Sequence, residues 1–167
     1  MGRRNHLIDG LSGTGKTTVA EALQRRGHHV IHGDRDLAQR LDPGTGASTA
    51  TGDFAAPLWD EDAVREIVAD ASRPVTFFCG GSRNHARLRH LFDEVLVLEV
   101  DLAALDRRLD ARRDEDWGGD GPPPRELIHR WHRTGETLPP GVRIDAGRPV
   151  DEVIREILLR TGTSRLS

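Results

Sequence analysis

Short apolar runs alternate with amphipathic segments along most of the chain. The apolar runs are typical of buried β-strands and lie at residues 5–9, 28–34, 74–81, 94–100 and 142–147. Helical spacing of apolar residues predicts helices between and after them, at 17–26, 60–71, 85–92, 102–113, 125–138 and 149–160. Residues 35–41 are a short helix or turn, and the Gly, Ser, Thr and Pro content of 42–57 predicts a loop. This alternation predicts an α/β fold with a parallel sheet that helices cover on both faces.

Four polar or glycine-rich stretches directly follow predicted strands. They are residues 10–17, 32–36, 80–84 and 145–148. In a parallel sheet the carboxyl ends of the strands lie at one edge, where ligands bind. We therefore expect these four stretches to form one site.

Composition narrows the class of protein. The 167 residues are expected to form a single domain over 1–167, with no apolar run long enough to cross a bilayer and no signal peptide. The single cysteine, Cys79, fits a reducing compartment, so a cytoplasmic location is expected. The net charge of -3 gives no indication of a nucleic acid partner.

The stretch GLSGTGKT, from Gly10 to Thr17, matches the phosphate-loop pattern G-x-x-x-x-G-K-[ST] between a predicted strand and a predicted helix. Its Lys16 is the single lysine among 24 basic residues, in a chain that otherwise uses arginine. A compact ammonium can enter a ring of main-chain N–H groups that a planar guanidinium is too broad to enter. The loop predicts binding of a nucleoside triphosphate, with the Thr17 hydroxyl as a Mg²⁺ ligand.

Acids and glycines predict the acceptor side of the site. A carboxylate at Asp34 or Asp36 can orient a hydroxyl and accept its proton, although both acids could instead cap a helix. Gly80 and Gly81 would let a substrate approach the backbone, with Arg83 as a polar contact, or they form a tight turn. Cys79 is interpreted as a buried small residue.

Two arginines precede a glycine-bearing segment. Arg108 and Arg112 are four residues apart on a predicted helix, so they share a face that leads into a short flap at 114–124. Arginines on a closing flap can stabilise a transferred phosphoryl group. The alternative is a solvated helix whose arginines pair with neighbouring acids.

Together the segments IDGLSGTGKTTVAEAL, FFCGGSRN, LFDEVLVLEVDLAALDRRLDAR and IDAGRPVDEVIREIL resemble the nucleoside monophosphate kinase and shikimate kinase branch of P-loop proteins. The likeness extends to small actinobacterial AAA-type ATP-binding proteins. It implies a five-stranded sheet of order 2-3-1-4-5, the use of ATP and Mg²⁺, and phosphoryl transfer to a small acceptor. It also implies that Arg108 and Arg112 are flap arginines and that Gly80 and Gly81 contact the acceptor. The implied nucleotide-binding residues are Gly10, Ser12, Gly13, Thr14, Gly15, Lys16, Thr17 and Thr18, with Arg148 in a loop along the adenine.

The chain differs from this group in the acidic residues that follow the second and third strands. The Asp-x-Asp of shikimate-type kinases aligns either with His32 and Asp34 or with Asp34 and Asp36, and no acid ends the third strand. The preferred hypothesis is a small-molecule kinase in which Lys16, Asp34, Arg108 and Arg112 are catalytic. A nucleotide-binding regulatory module with little turnover is the alternative, and an RNA-processing kinase is a third. The sequence does not distinguish ATP from GTP as the phosphate donor. It also does not identify the acceptor or the oligomeric state.

Overall fold

The computed structural model describes residues 3–39, 45, 54, 56–113 and 121–163. Five strands form one sheet, with the order β2-β3-β1-β4-β5 and every neighbouring pair parallel. The strands are β1 (Arg4–Gly10), β2 (His29–His32), β3 (Val75–Cys79), β4 (Glu94–Glu99) and β5 (Val142–Asp145). The predicted fold class and strand order are confirmed.

Within the described residues the helices are α1 (Lys16–Arg25), α2 (Gly33–Asp36), α3 (Glu61–Ala69), α4 (His85–Leu88), α5 (Leu102–Ala111), α6 (Arg125–Thr134) and α7 (Val150–Arg160). A 3₁₀ turn (Arg89–Leu91) follows α4. Asp60 and Asp101 cap α3 and α5 by accepting a main-chain N–H at 3.0 and 2.7 Å. The predicted loop at 42–57 and the predicted flap at 114–124 lie largely outside the described residues.

Several predicted element ends are wrong. The second strand stops at His32, and Asp34 lies in the α2 turn. The helix predicted over 125–138 ends at Thr134, because Gly135 takes the left-handed backbone that terminates helices (φ 66°). The helix predicted over 102–113 ends at Ala111, and Arg112 has extended backbone angles. Arg108 and Arg112 therefore do not share a helical face.

Alternating side chains of the strands build a core on each face of the sheet. Phe77 and Phe78 are both fully buried, one against the α1, α5 and α7 layer and the other against the α3 and α4 layer. Leu96 and Val97 divide between the two faces in the same way. Because β1, β3 and β4 are covered on both sides, their large apolar side chains occupy consecutive positions rather than alternating ones, as at Leu7 and Ile8 or at Phe77 and Phe78.

The amino end of β1 holds a buried histidine. His6 is 1% exposed, its ring packs against Phe77 in a tilted arrangement with the centroids 5.5 Å apart, and neither ring nitrogen has a hydrogen-bond partner within the described residues. Burial lowers the pKa of His6 to about 4, although Asp93 opposes the change. The ring is therefore neutral at physiological pH and acts as a core side chain.

The carboxyl ends of the five strands lie along one edge of the sheet. Gly10, His32, Cys79, Glu99 and Asp145 end their strands there, in adjacent registers. The four stretches predicted to form a site are thus brought to the same edge. In the described part of the chain no helix has the length and apolar character needed to cross a bilayer.

Candidate active site

The loop between β1 and α1 has the backbone shape of a phosphate cradle. Gly13 and Gly15 have φ of 88° and 103°, values that side chains rarely allow, and Gly15 is the N-cap of α1. At Gly10 a Cβ would lie 2.5 Å from the Thr14 hydroxyl and 2.9 Å from the Leu98 carbonyl oxygen. The loop opens onto the N-terminus of a 10-residue helix, where free N–H groups and the helix dipole favour an anion.

Lys16, in the first turn of α1, folds back over this loop. Its ammonium donates to the carbonyl of Gly10, so the charge lies within the curve of the loop. Thr14 points the other way, because its side chain is buried and its hydroxyl donates to the Leu11 carbonyl at 2.7 Å. The Thr14 main-chain N–H also donates to the Leu11 carbonyl, at 3.2 Å, whereas the side chains of Thr17 and Thr18 are exposed.

Arg108 links the phosphate loop to the loop that follows β5. Its guanidinium donates to the carbonyl of Thr14 at 3.0 Å and to the carbonyl of Ala146 at 2.8 Å. Ala146 follows β5, so one side chain joins the phosphate loop to the loop expected along the adenine. Arg148, in that second loop, donates to the Asp145 carbonyl at 3.1 Å and pairs with Glu156 of α7.

The glycine pair after β3 lies between the phosphate loop and α2. A Cβ on Gly80 would lie 3.4 Å from Asp34 Oδ1 and 3.1 Å from the ring of Trp59, and its φ is 145°. Asp34 is exposed at the start of α2. The structure therefore brings Asp34 and the glycine pair together, as the sequence predicted.

Trp59 forms the wall behind this region. It is 1% exposed, and a Cβ on Gly33 would lie 2.1 Å from its ring, so the indole packs directly on the α2 backbone. Asn84 fixes the Trp59 main chain, accepting its N–H at 3.1 Å and donating to its carbonyl at 3.0 Å. Arg83 donates its main-chain N–H to Pro57 at 3.0 Å. Gly33 and Asn84 thus shape this wall through contacts that the sequence alone did not reveal.

His32 and Asp36 are the two other residues that could align with the Asp-x-Asp acids, and both make local contacts. Asp36 accepts the His32 main-chain N–H at 2.9 Å and pairs with Arg35 at 3.2 Å. The His32 ring faces Gln24 at 3.0 Å. Asp34 lies close to Gly80 and Asp36 does not show such a contact, so Asp34 is the better candidate for the acid on the acceptor side.

Sequence reasoning missed a buried carboxylate. Asp9, the penultimate residue of β1, is 3% exposed, and its Oδ1 accepts the Gly10 N–H at 2.6 Å. Burial raises the pKa of Asp9 to about 6, and Asp34 raises it further, against the lowering effects of the Lys16 ammonium and the Gly10 N–H. A signal was available, because an acid within an apolar strand, directly before a glycine loop, has no packing reason to be there.

Cys79, at the end of β3, is a buried free thiol. Burial raises its pKa to about 12, so it is unsuited to nucleophilic chemistry. Among the described residues no three His, Cys, Asp or Glu side chains cluster as metal ligands. Any metal here would depend on oxygens that a bound nucleotide brings with it.

A cleft of about 470 Å³ opens on the other side of the phosphate loop. It shares Leu11 and Thr14 with the loop and is otherwise lined from β4, β5 and α6, with Glu99, His132 and Arg143 among its walls. Glu99 and Arg143 pair across it at 3.3 Å. None of the predicted acceptor-side residues lies among the described residues that line it, so it is distinct from the region around Asp34.

Solved structures share this architecture over almost the whole chain. An unliganded sugar kinase from Janibacter sp. HTCC2649 is 25% identical, with a TM-score of 0.59 and 97% of each chain covered. A gluconokinase from Sinorhizobium meliloti 1021 is 24% identical, with a TM-score of 0.54, covering 98% of this chain and 93% of its own. A shikimate kinase from Bacteroides thetaiotaomicron is 15% identical, with a TM-score of 0.58, covering 94% of this chain and 97% of its own.

The chain has the fold of a P-loop small-molecule kinase. The predicted resemblance is thereby confirmed, and with it the prediction of an enzyme of this type. No protein-family model matches the sequence, and no curated protein matches it. The gluconokinase and the shikimate kinase, at their lower identities, support the kinase fold alone.

Proposed function

We propose that this protein transfers the γ-phosphate of ATP to a hydroxyl or phosphate oxygen of a small acceptor. The proposal depends mainly on one observation: the phosphate loop with Lys16 and the glycine pair with Asp34 lie side by side at one edge of the sheet. A phosphate donor and an acceptor must meet within a few ångströms for transfer to occur. The 25% identity to a sugar kinase over nearly the full chain gives further support.

Each group has a part in this reaction. Lys16 would leave the Gly10 carbonyl and contact the outer phosphates, where a point charge offsets the negative charge of the transferring group. Asp34 would orient the acceptor beside Gly80 and Gly81. Arg108 would hold the loop and the adenine side in register through its two carbonyl contacts. Arg112 is a candidate for stabilising the charge of the transferred phosphoryl group, and Arg83 is a candidate for binding the acceptor.

The residues present fit a magnesium ion delivered with ATP. Thr17 is exposed in the first turn of α1, beside the loop, so its hydroxyl is available as a ligand together with phosphate oxygens. When bound, the ion would neutralise phosphate charge during transfer. GTP is an alternative donor, because the loop contacts that we describe recognise phosphates and not a base.

The proposal is tested by incubating the native protein with MgATP and a panel of D-gluconate, shikimate, D-glucose and adenosine. ³¹P NMR detects a new phosphate ester, and calorimetry measures nucleotide affinity. We expect one panel member to be phosphorylated, a loss of about 100-fold or more in ATP affinity for Lys16→Ala, and a reduced turnover for Asp34→Asn at unchanged ATP affinity. Arg107→Met, an exposed neighbour of Arg108 on α5, is a control expected to behave as native.

Two results would decide against this function. Equal ATP affinity in the native protein and Lys16→Ala would contradict phosphate binding by the loop. Tight nucleotide binding without transfer to any panel member would favour the alternative of a regulatory module, which the absence of an acid at the end of β3 also favours.

A further inference from the structure

We propose that Asp9 is the proton acceptor of the phosphoryl transfer and that Asp34 orients the acceptor. This rests on the kinase function proposed above, and it reassigns the base from the exposed acid to the buried one. The two carboxylates lie around the same glycine pair, one beside Gly81 and the other beside Gly80.

Asp9 lies between the two halves of the site. Its Oδ1 is bonded to the first N–H of the phosphate loop at 2.6 Å, so the carboxylate is fixed to the element that would hold the triphosphate. On its other side lies Gly81, whose Cβ, if present, would come within 3.0 Å of the same oxygen. The carboxylate therefore lies where the phosphate donor and the acceptor would meet.

The burial of the carboxylate also supports this role. Asp9 is 3% exposed, and its Oδ1 accepts the Gly10 N–H at 2.6 Å. Burying a carboxylate is costly, so an acid is not kept inside a strand for packing alone. Its place at the edge where the phosphate loop and the glycine pair meet is explained if it takes part in the reaction.

The glycine at position 81 also supports a role for Asp9. Gly81 has no left-handed φ, so its backbone does not require glycine. A side chain there would contact Asp9 Oδ1 at 3.0 Å and cover the carboxylate. Glycine at this position leaves the space beside Asp9 Oδ1 free of a side chain from residue 81.

The proposed reaction needs only the acceptor, ATP and the Asp9 carboxylate. The acceptor O–H bond breaks and its proton passes to the Asp9 carboxylate, while the acceptor oxygen forms a bond to the γ-phosphorus of ATP. The bond from that phosphorus to the bridging oxygen breaks, and ADP leaves with the electron pair. Asp9 then releases its proton to solvent. Burial raises the pKa of Asp9 towards neutrality, which suits a general base better than a fully exposed carboxylate would.

The test compares variants with the native protein, using MgATP, the same four-compound panel and ³¹P NMR. Asp9→Asn keeps an oxygen for the Gly10 N–H but cannot take a proton, so kcat should fall about 100-fold or more while ATP affinity stays within about threefold. Asp34→Asn should raise KM for the acceptor more than it lowers kcat. Gly81→Ala covers Asp9 and should lower kcat at least about 10-fold. Asp93→Asn is the matched control, because Asp93 also accepts a β1 main-chain N–H, at 2.7 Å, but at the opposite end of the strand.

A pH series separates catalysis from structure. The native kcat should fall as the pH is lowered through the pKa of Asp9, and that decline should be absent from the residual activity of Asp9→Asn. If Asp9 only holds the loop, Asp9→Asn will match the native rate and Asp9→Ala will be impaired, which overturns the proposal while the kinase function stands. If the native protein binds ATP but phosphorylates no panel member, the kinase proposal fails, and the role of Asp9 fails with it.

Discussion

Asp9→Asn should make the protein more stable at neutral pH, because the native carboxylate is buried at a cost. The pKa of Asp9 is raised from 3.8 to about 6, and burial is the largest cause. A difference of this size corresponds to about 3 kcal/mol between the ionised and protonated forms. Asparagine has nearly the same shape, keeps the hydrogen bond to the Gly10 N–H and carries no charge to desolvate.

The sign of the pH dependence follows from the raised pKa. Between about pH 4 and pH 6 Asp9 binds more protons in the folded state than in the unfolded state, so the contribution of Asp9 to native stability falls as the pH rises through this range. Above about pH 6 both states are ionised and the full cost is present. The advantage of Asp9→Asn should therefore grow from a fraction of a kcal/mol near pH 4 to about 3 kcal/mol at pH 7.5.

Urea unfolding at pH 4, 5.5 and 7.5 measures this difference, and the buried Trp59 provides a fluorescence signal. Asp93→Asn serves as the control, since that carboxylate is exposed, and no gain in stability is expected from it. A variant no more stable than native at pH 7.5, or an advantage that does not change with pH, would refute the reasoning. A gain in stability accompanied by loss of turnover would indicate that the carboxylate is kept for chemistry.

Three further predictions concern stability and binding. The pKa of His6 is lowered to about 4, so the contribution of His6 to native stability should fall by up to about 3 kcal/mol as the pH drops from 6.5 towards 4, and urea midpoints should show the native protein losing stability relative to His6→Leu over this range. Gly33→Ala places a Cβ 2.1 Å from the Trp59 ring, so overpacking should cost about 1–3 kcal/mol, seen as a lower Tm; an unchanged Tm would contradict the packing. Arg108→Met removes the link between the two nucleotide-side loops and should weaken MgATP binding about 10-fold by calorimetry, whereas equal affinity would show that the link is dispensable.

The sequence by itself determined the features that depend on short stretches. The phosphate loop is a local motif whose glycines, lysine and threonine are read directly from Gly10 to Thr17. Five apolar runs separated by helical patterns fixed the parallel sheet, and the edge where the site lies followed from that topology. Helix ends were less certain, because the end of α5 at Ala111 left no mark in the apolar spacing.

Tertiary structure alone decided which of the polar residues at that edge are brought into contact. Arg108 reaches carbonyls 94 and 38 residues away, and the role of Gly33 appears only when Trp59 packs on it. Asp9 reads in the sequence as the end of a strand, and its burial depends on the phosphate loop and the glycine pair closing around it. Burial, and with it the free energy of a charge, is a sum over neighbours that are distant in sequence, so an acid in a predicted strand marks Asp9 as unusual but does not establish that it is buried.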